Sequence, residues 1–343
     1  MARRPIPSRL TLKRLEQVMV SSTVLYAVRS DKTIVFNNES GNVTISVHDG
    51  LLRATATWHP RVPLRLADDL AQIFDDWNRR GNGLTAAGDQ ATLNGLIIVG
   101  AHSARPVEAG IDNDQLRHIM TDEITLCMEF LSFMEQIFPD TRFESVKKSG
   151  QGPAREPDAN PYDERNPLVL FPEKLTRFSL ETGDGTRPSP VTNVRLLRTL
   201  AGTGWVVQPQ TSREDGYITR TDAGVLVGFS LADDHLRVEV PWNSRVEKRE
   251  VRPQSLRATL RAVTGWNVDS RLLTMIVEPD DAPGDLQVER PVRVVAYGIW
   301  CLAAGVSDRQ FTELVVEAAG EAEKFIQYCR SSFMKEEDDG AGA

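Results

Sequence analysis

The hydrophobic positions of this chain switch from helical to alternating period and back, and the whole succession runs through twice. Leu12, Leu15 and Met19 keep the spacing of one helix face. Residues 33–36, 43–47 and 51–58 alternate as strands do, and the turn-rich stretches between them, 37–42 and 48–50, predict a three-stranded meander. Leu66, Leu70, Ile73, Phe74 and Trp77 return to helical spacing, so a middle helix is expected to end at Trp77-Asn78. Asn just past a helix often takes the left-handed conformation, which gives Asn78 an expected backbone role. Strands are expected next near 84–87 and 93–104. Leu116, Ile119, Met120, Ile124, Cys127, Met128, Leu131, Met134 and Phe138 then form one long helical stripe.

The second pass has the same grammar. Val194, Leu197 and Ala201 open it, strands follow near 217–219, 225–230 and 235–242, and Leu256, Leu260, Val263 and Trp266 mark a middle helix ending at Trp266-Asn267. Strands near 272–278 and 292–303 precede a stripe of Phe311, Leu314, Val315, Ala318, Ala322, Phe325, Ile326 and Cys329. The predicted class is α+β, with two copies of a helix-βββ-helix-ββ-helix module, each an antiparallel sheet with helices packed on it.

Three anchors fix the alignment of the copies. Leu52-Arg53 with Trp58 matches Leu236-Arg237 with Trp242, Trp77-Asn78 matches Trp266-Asn267, and the run from Gly110 to Gln115 matches that from Gly305 to Gln310. The offset grows from 184 through 189 to 195 residues, so insertions fall between anchors, where loops belong. Tryptophan recurring at equivalent places of a duplicated fold is more simply core than a stacking platform for nucleic-acid bases, so Trp58, Trp77, Trp242 and Trp266 are expected to be buried. The expected divisions are a first module at 1–140, a flexible linker at 141–187, a second module at 188–333 and a disordered acidic tail at 334–343. The stretch 144–167 is too polar and too rich in Pro and Gly to offset its ordering entropy by burial, whereas 167–171 and Leu180 are apolar enough to dock on a module or supply an edge strand.

With this order and the Trp-Asn anchors, each copy resembles the YbjN family, candidate bacterial sensory-transduction regulators similar in fold to type III secretion chaperones. The resemblance spans about residues 8–140 and 190–333. It is carried by Asp76-Trp77-Asn78 and Gly265-Trp266-Asn267, by the strand pairs that follow, and by the Gly-x-x-x-x-Gln start of each last helix. The first copy departs from the pattern at Thr85-Ala86-Ala87-Gly88, where glycine weakens strand pairing. The resemblance implies a regulatory or chaperone-like role and brings no catalytic residues with it. Chaperones of that fold act as homodimers on extended polypeptides, so the resemblance also implies that two fused copies form an intramolecular pseudo-dimer.

At 343 residues the chain exceeds the usual size of one core, which agrees with two modules. A formal charge of −8 gives no general attraction to phosphate backbones, so nucleic acid is not an expected partner. No run of about 18 apolar residues occurs and the basic N-terminus leads into no apolar stretch of signal length, so no membrane span and a cytoplasmic setting are expected. Cys127, Cys301 and Cys329 are odd in number and sit in apolar stretches, as free cysteines in a reducing compartment do. Asn38-Glu39-Ser40 and Asn42-Val43-Thr44 are read as chance glycosylation matches.

Candidate chemistry is thin. Asp68, Asp69, Asp75 and Asp76 supply carboxylates of the kind hard cations need, but the second copy has Arg257, Ala258, Thr264 and Gly265 in that register, and solvated charge is the better reading. His118 and Asp122 form an i,i+4 pair without zinc-site spacing. Gly81-Asn82-Gly83 leads into a strand, which suits a post-helix turn and not a phosphate cradle. No catalytic, cofactor or metal residue is assigned. Met120, Met128 and Met134 are adaptable apolar groups that could meet a polypeptide partner, set against the simpler reading that they fill the core. The expected function is a non-enzymatic regulatory or chaperone-like protein that binds other polypeptides, partner unknown. The alternative is a small-molecule or nucleotide sensor with its ligand in a cleft between the modules.

Overall fold

The structure is a computed structural model that describes residues 6–20, 27–30, 33–89, 95–139, 186–210, 216–243, 254–278 and 289–334. Residues 141–185 of the expected linker at 141–187, with its apolar stretch at 167–180, and residues 335–343 of the expected tail lie outside the described residues.

The first module runs α1 (Leu12–Val20), β1 (Ala27–Ser30), β2 (Thr33–Asn37), β3 (Gly41–His48), β4 (Leu51–Pro63), a short 3-10 turn, α2 (Ala67–Asn78), β5 (Thr85–Asp89), β6 (Leu96–Pro106) and α3 (Asn113–Ile137). The second runs α4 (Asn193–Gly202), β7 (Val206–Pro209), β8 (Gly216–Arg220), β9 (Leu226–Ala232), β10 (His235–Asn243), β11 (Gln254–Ser255), α5 (Leu256–Asp269), β12 (Thr274–Val277), β13 (Glu289–Arg290), β14 (Arg293–Cys301) and α6 (Asp308–Phe333). The two six-stranded sheets follow one path, β1-β2-β3-β4-β6-β5 and β7-β8-β9-β10-β14-β12, while β11 and β13 form a small ladder of their own. The class is therefore α+β, with antiparallel pairing throughout the registers described.

Each meander has four strands where three were read from the sequence. The additions, β1 and β7, are four residues long and lie at sheet edges. An edge strand with one pairing neighbour needs no buried alternation, and Val206–Pro209 shows none.

By proximity the chain gathers into two compact units, one drawn from residues 1–62, 89–190 and 304–310, the other from 63–88, 191–303 and 311–343. In the first, Ile34, Ile45, Ala56, Val99, Leu116 and Leu131 are buried, and the Trp58 ring stacks tilted on Phe138 with centroids 5.6 Å apart. In the second, Phe229, Leu236, Val238, Val240 and Phe325 are buried, and Trp242 meets Phe333 at 5.4 Å. The pairs Trp58–Phe138 and Trp242–Phe333 occupy equivalent places: a strand-borne indole closed over by the end of the last helix. On α4 the buried face is Leu196 and Leu200, while Val194 and Leu197 are exposed. The helix is apolar on two sides, so helical period alone could not choose between them, and packing selected the i,i+4 pair.

Both last helices begin in the same way. Gly110 and Gly305 have φ of 90° and 72°, and a side chain at either would press the backbone of Ser8 or Ser189 at about 3 Å. Those serines make matching backbone bridges, Ser8 to Ile111 and Ser189 to Val306. Glycine is required here both for the left-handed turn and for the close approach.

Candidate functional site

The Trp-Asn anchors tie each middle helix to a strand. Trp77 Nε1 donates to Leu84 O and Trp266 Nε1 to Leu273 O, each at 3.1 Å. Beside them the asparagine amides reach both backbone groups of one strand residue. Asn78 accepts from Ala86 N at 2.7 Å and donates to Ala86 O at 3.1 Å; Asn267 does the same to Met275 at 2.8 and 2.9 Å. Neither asparagine has positive φ, so the left-handed closing role read from the sequence does not hold. Asn78 is the last residue of α2, and Asn267 lies inside α5. Their position is set by the side chain, which acts as an additional strand neighbour to β5 or β12.

Equivalent residues of the two modules also meet. In the first unit, Gln115 Nε2 donates to Gly305 O at 2.7 Å and Gln310 Oε1 at 3.1 Å, while Gln310 Nε2 donates to Gly110 O at 2.7 Å and Gln115 Oε1 at 3.0 Å. Each glutamine also completes its own helix capping box, by accepting from Asp112 N or Ser307 N. One residue per module therefore starts its helix and bonds its counterpart. In the second unit, the hydroxyls of Thr85 and Thr274 share a hydrogen bond. Asp68 accepts a bidentate pair from Arg261 at 2.8 and 3.2 Å, and Arg257 Nε lies 3.1 Å from the same carboxylate. Farther along α2, Asp75 accepts from Val277 N at 2.9 Å and Arg79 Nε at 2.7 Å. Burial pushes the Asp75 carboxyl above its ordinary range, and the Val277 and Arg79 bonds only partly oppose it. Gly83, with φ of 85°, brings its Cα close to Ile299 O, where a side chain would stand at 3.0 Å.

The sequence-derived candidates fall into distinct settings. Trp58, Trp77, Trp242 and Trp266 are buried, as are Met120 and Met134, while Met128 is half-buried with its Sδ 3.7 Å from Asn38 Nδ2. Asp68 and Asp75 are held by separate sets of partners and do not converge on one point. His118 lies 3.6 Å from Asp122, a loose and half-buried pair. Burial pushes the Cys127 thiol well up, with Glu123 adding to the effect, which marks it as an unreactive thiol. Glu123, itself raised by burial, accepts from Ser103.

Two features had no sequence signal. One is a cavity of about 750 Å³ in the first unit, whose polar lining includes Arg9, Thr11, His48, Asp49, Glu108 and Arg309. His48 Nδ1 lies 2.7 Å from Asp49, and the lining groups come from four separate stretches of chain. The other is the β7 edge of the second sheet, which has no further strand beside it among the described residues. Val206 on β7 sits opposite Arg220, which sits opposite Leu226, so one cross-strand row carries two large apolar side chains 61% and 49% exposed.

Fold and contacts together define an α+β protein with two sheets of one strand path and an array of bonds between equivalent residues. No family model and no curated protein matches the chain. Among solved structures it is similar to the crystal structure of YbjN from E. coli, described as a candidate transcription regulator, at 15% identity over 39% of this chain and 96% of that one, with a TM-score of 0.33. Among the described residues, no helix is long and apolar enough to cross a membrane.

Proposed function

We propose that this is a non-enzymatic regulatory or chaperone-like protein of the bacterial cytoplasm, which binds extended polypeptides while its modules pair as an intramolecular pseudo-dimer. The observation that carries the binding role is the β7 edge. A strand with no second strand neighbour among the described residues and an exposed apolar row, Val206 with Leu226 across Arg220, offers what an added strand needs: main-chain groups and side-chain contact. The pairing is supported by the reciprocal Gln115 and Gln310 bonds and by the Thr85–Thr274 contact, since self-matching contacts are the mark of two-fold association. The three free cysteines suit a reducing compartment. Polypeptides captured from native lysate and identified by mass spectrometry are to be synthesised as labelled peptides and titrated by fluorescence anisotropy. Val206→Asp is expected to weaken binding at least about tenfold, the scale of one interface anchor. Unchanged affinity in that variant would remove β7 from the role.

A second reading is a small-molecule sensor, supported by the cavity beside Arg9 and Arg309. Its volume is that of a metabolite site, and guanidinium groups suit carboxylate or phosphate. A ligand that binds only the native state raises thermal stability. A thermal-shift screen of anionic metabolites should yield a hit that is lost in Arg309→Ala; a hit that survives this change lies elsewhere.

A further inference from the structure

A two-fold relation repeats each contact of one position with another in reverse, and at the axis a position meets its own equivalent, so two identical modules would set like against like there. The middle helices keep a constant offset of 189 residues, which makes Asp68 equivalent to Arg257, Ala71 to Leu260 and Gln72 to Arg261. These are the residues that meet in the second unit. Asp68 takes both oxygens to Arg261 and lies within ion-pair distance of Arg257. Ala71 and Leu260, both buried, border one narrow gap together with Asp68, Gln72 and Arg257.

We propose that these exchanges fit the surface of α2 to that of α5 alone, so that a first module pairs with a second module and neither pairs with its own kind. This rests on the paired-module reading above. Two first modules would oppose Asp68 to Asp68 without a guanidinium and Ala71 to Ala71 across a void. Two second modules would oppose a pair of Arg257 and a pair of Arg261 without a carboxylate, and crowd Leu260 against Leu260. Charge, side-chain volume and hydrogen bonding thus favour the mixed pair at each position. Two other contacts do not discriminate: Gln115 with Gln310, and Thr85 with Thr274, match themselves and would serve any pairing. Selectivity therefore resides in the middle helices. The partner surface that α2 recognises is a helix carrying arginines four residues apart with leucine just before the second, as Arg257, Leu260 and Arg261 do.

The test uses the full chain. R257D/R261Q makes both modules acidic at this seam, D68R/Q72R makes both basic, and the four changes together exchange the charges. Each like-charged chain should lose on the order of 2–4 °C or more in melting temperature, and the exchanged chain should recover most of that loss. Light scattering should show the like-charged chains expanded, and the exchanged chain as compact as the original. A separate chain, T85C/T274C, reports apposition itself, because thiols at two contacting hydroxyls should form a disulfide that peptide mapping detects. If this disulfide forms while the like-charged chains match the original, or while the exchanged chain is as unstable as they are, charge matching is overturned and the pairing stands. If it does not form under oxidation, the pairing falls, and the inference with it.

Discussion

Asn78 and Asn267 each give up the solvation of an amide for two bonds to one strand residue. Both are almost wholly buried, so the alternative to those bonds is not water but an orphaned backbone N–H and C=O. Removing one partner of a buried bond costs the desolvation of the group left behind, about 1–3 kcal/mol each. Asn267→Ala should therefore lose about 2–4 kcal/mol in urea unfolding. Asn267→Asp is more telling. Its carboxylate can accept from Met275 N but repels Met275 O, so the variant should be unstable at neutral pH and recover as acidification protonates the new group. An alanine variant as stable as the original would show the clasp to be idle. The sequence pointed to these asparagines as paired anchors but assigned them a backbone role, because a side chain's partner eight residues away is invisible to helix-end rules.

At the scale of elements, α2 is bound to β12 by a carboxylate. Asp75 receives Val277 N and Arg79, yet its pKa is raised because burial outweighs both. The folded protein therefore holds its proton at a pH where the unfolded chain, near 3.8, has released it. In the window just above that value, stability falls as pH rises, since the native state binds more protons there. Asp75→Asn keeps an oxygen for Val277 N and removes the ionisation. It should flatten that part of the stability profile and be no less stable than the original at pH 7, as read from urea midpoints between pH 4 and 7. A variant weaker at pH 7 with the slope unchanged would mean that the Arg79 pair outweighs burial. The second module has Thr264 at this position, and its hydroxyl turns back to Leu260 O, so the strap runs one way only.

At the scale of the whole molecule, the sequence alone determined the order of elements, the α+β class, and the long stripes of the last helices, from Leu116 to Met134 and from Phe311 to Cys329. It could do so because period and turn chemistry are local, and because a sequence that passes twice through one pattern checks its own reading. Short pieces escaped it: β1 has four residues, β7 buries too little to leave a pattern, and α4 offered two apolar faces. The tertiary structure alone decided how residues nearly two hundred positions apart meet. Asp68 read as a solvated charge until α5 brought Arg257 and Arg261 beside it, and Gln115 read as a helix start until Gln310 arrived opposite. Likewise Arg9, Glu108 and Arg309 share no motif, and only folding makes them walls of one cavity. Local period is written residue by residue along the chain, whereas a contact between distant stretches depends on the path of the backbone through every element between them.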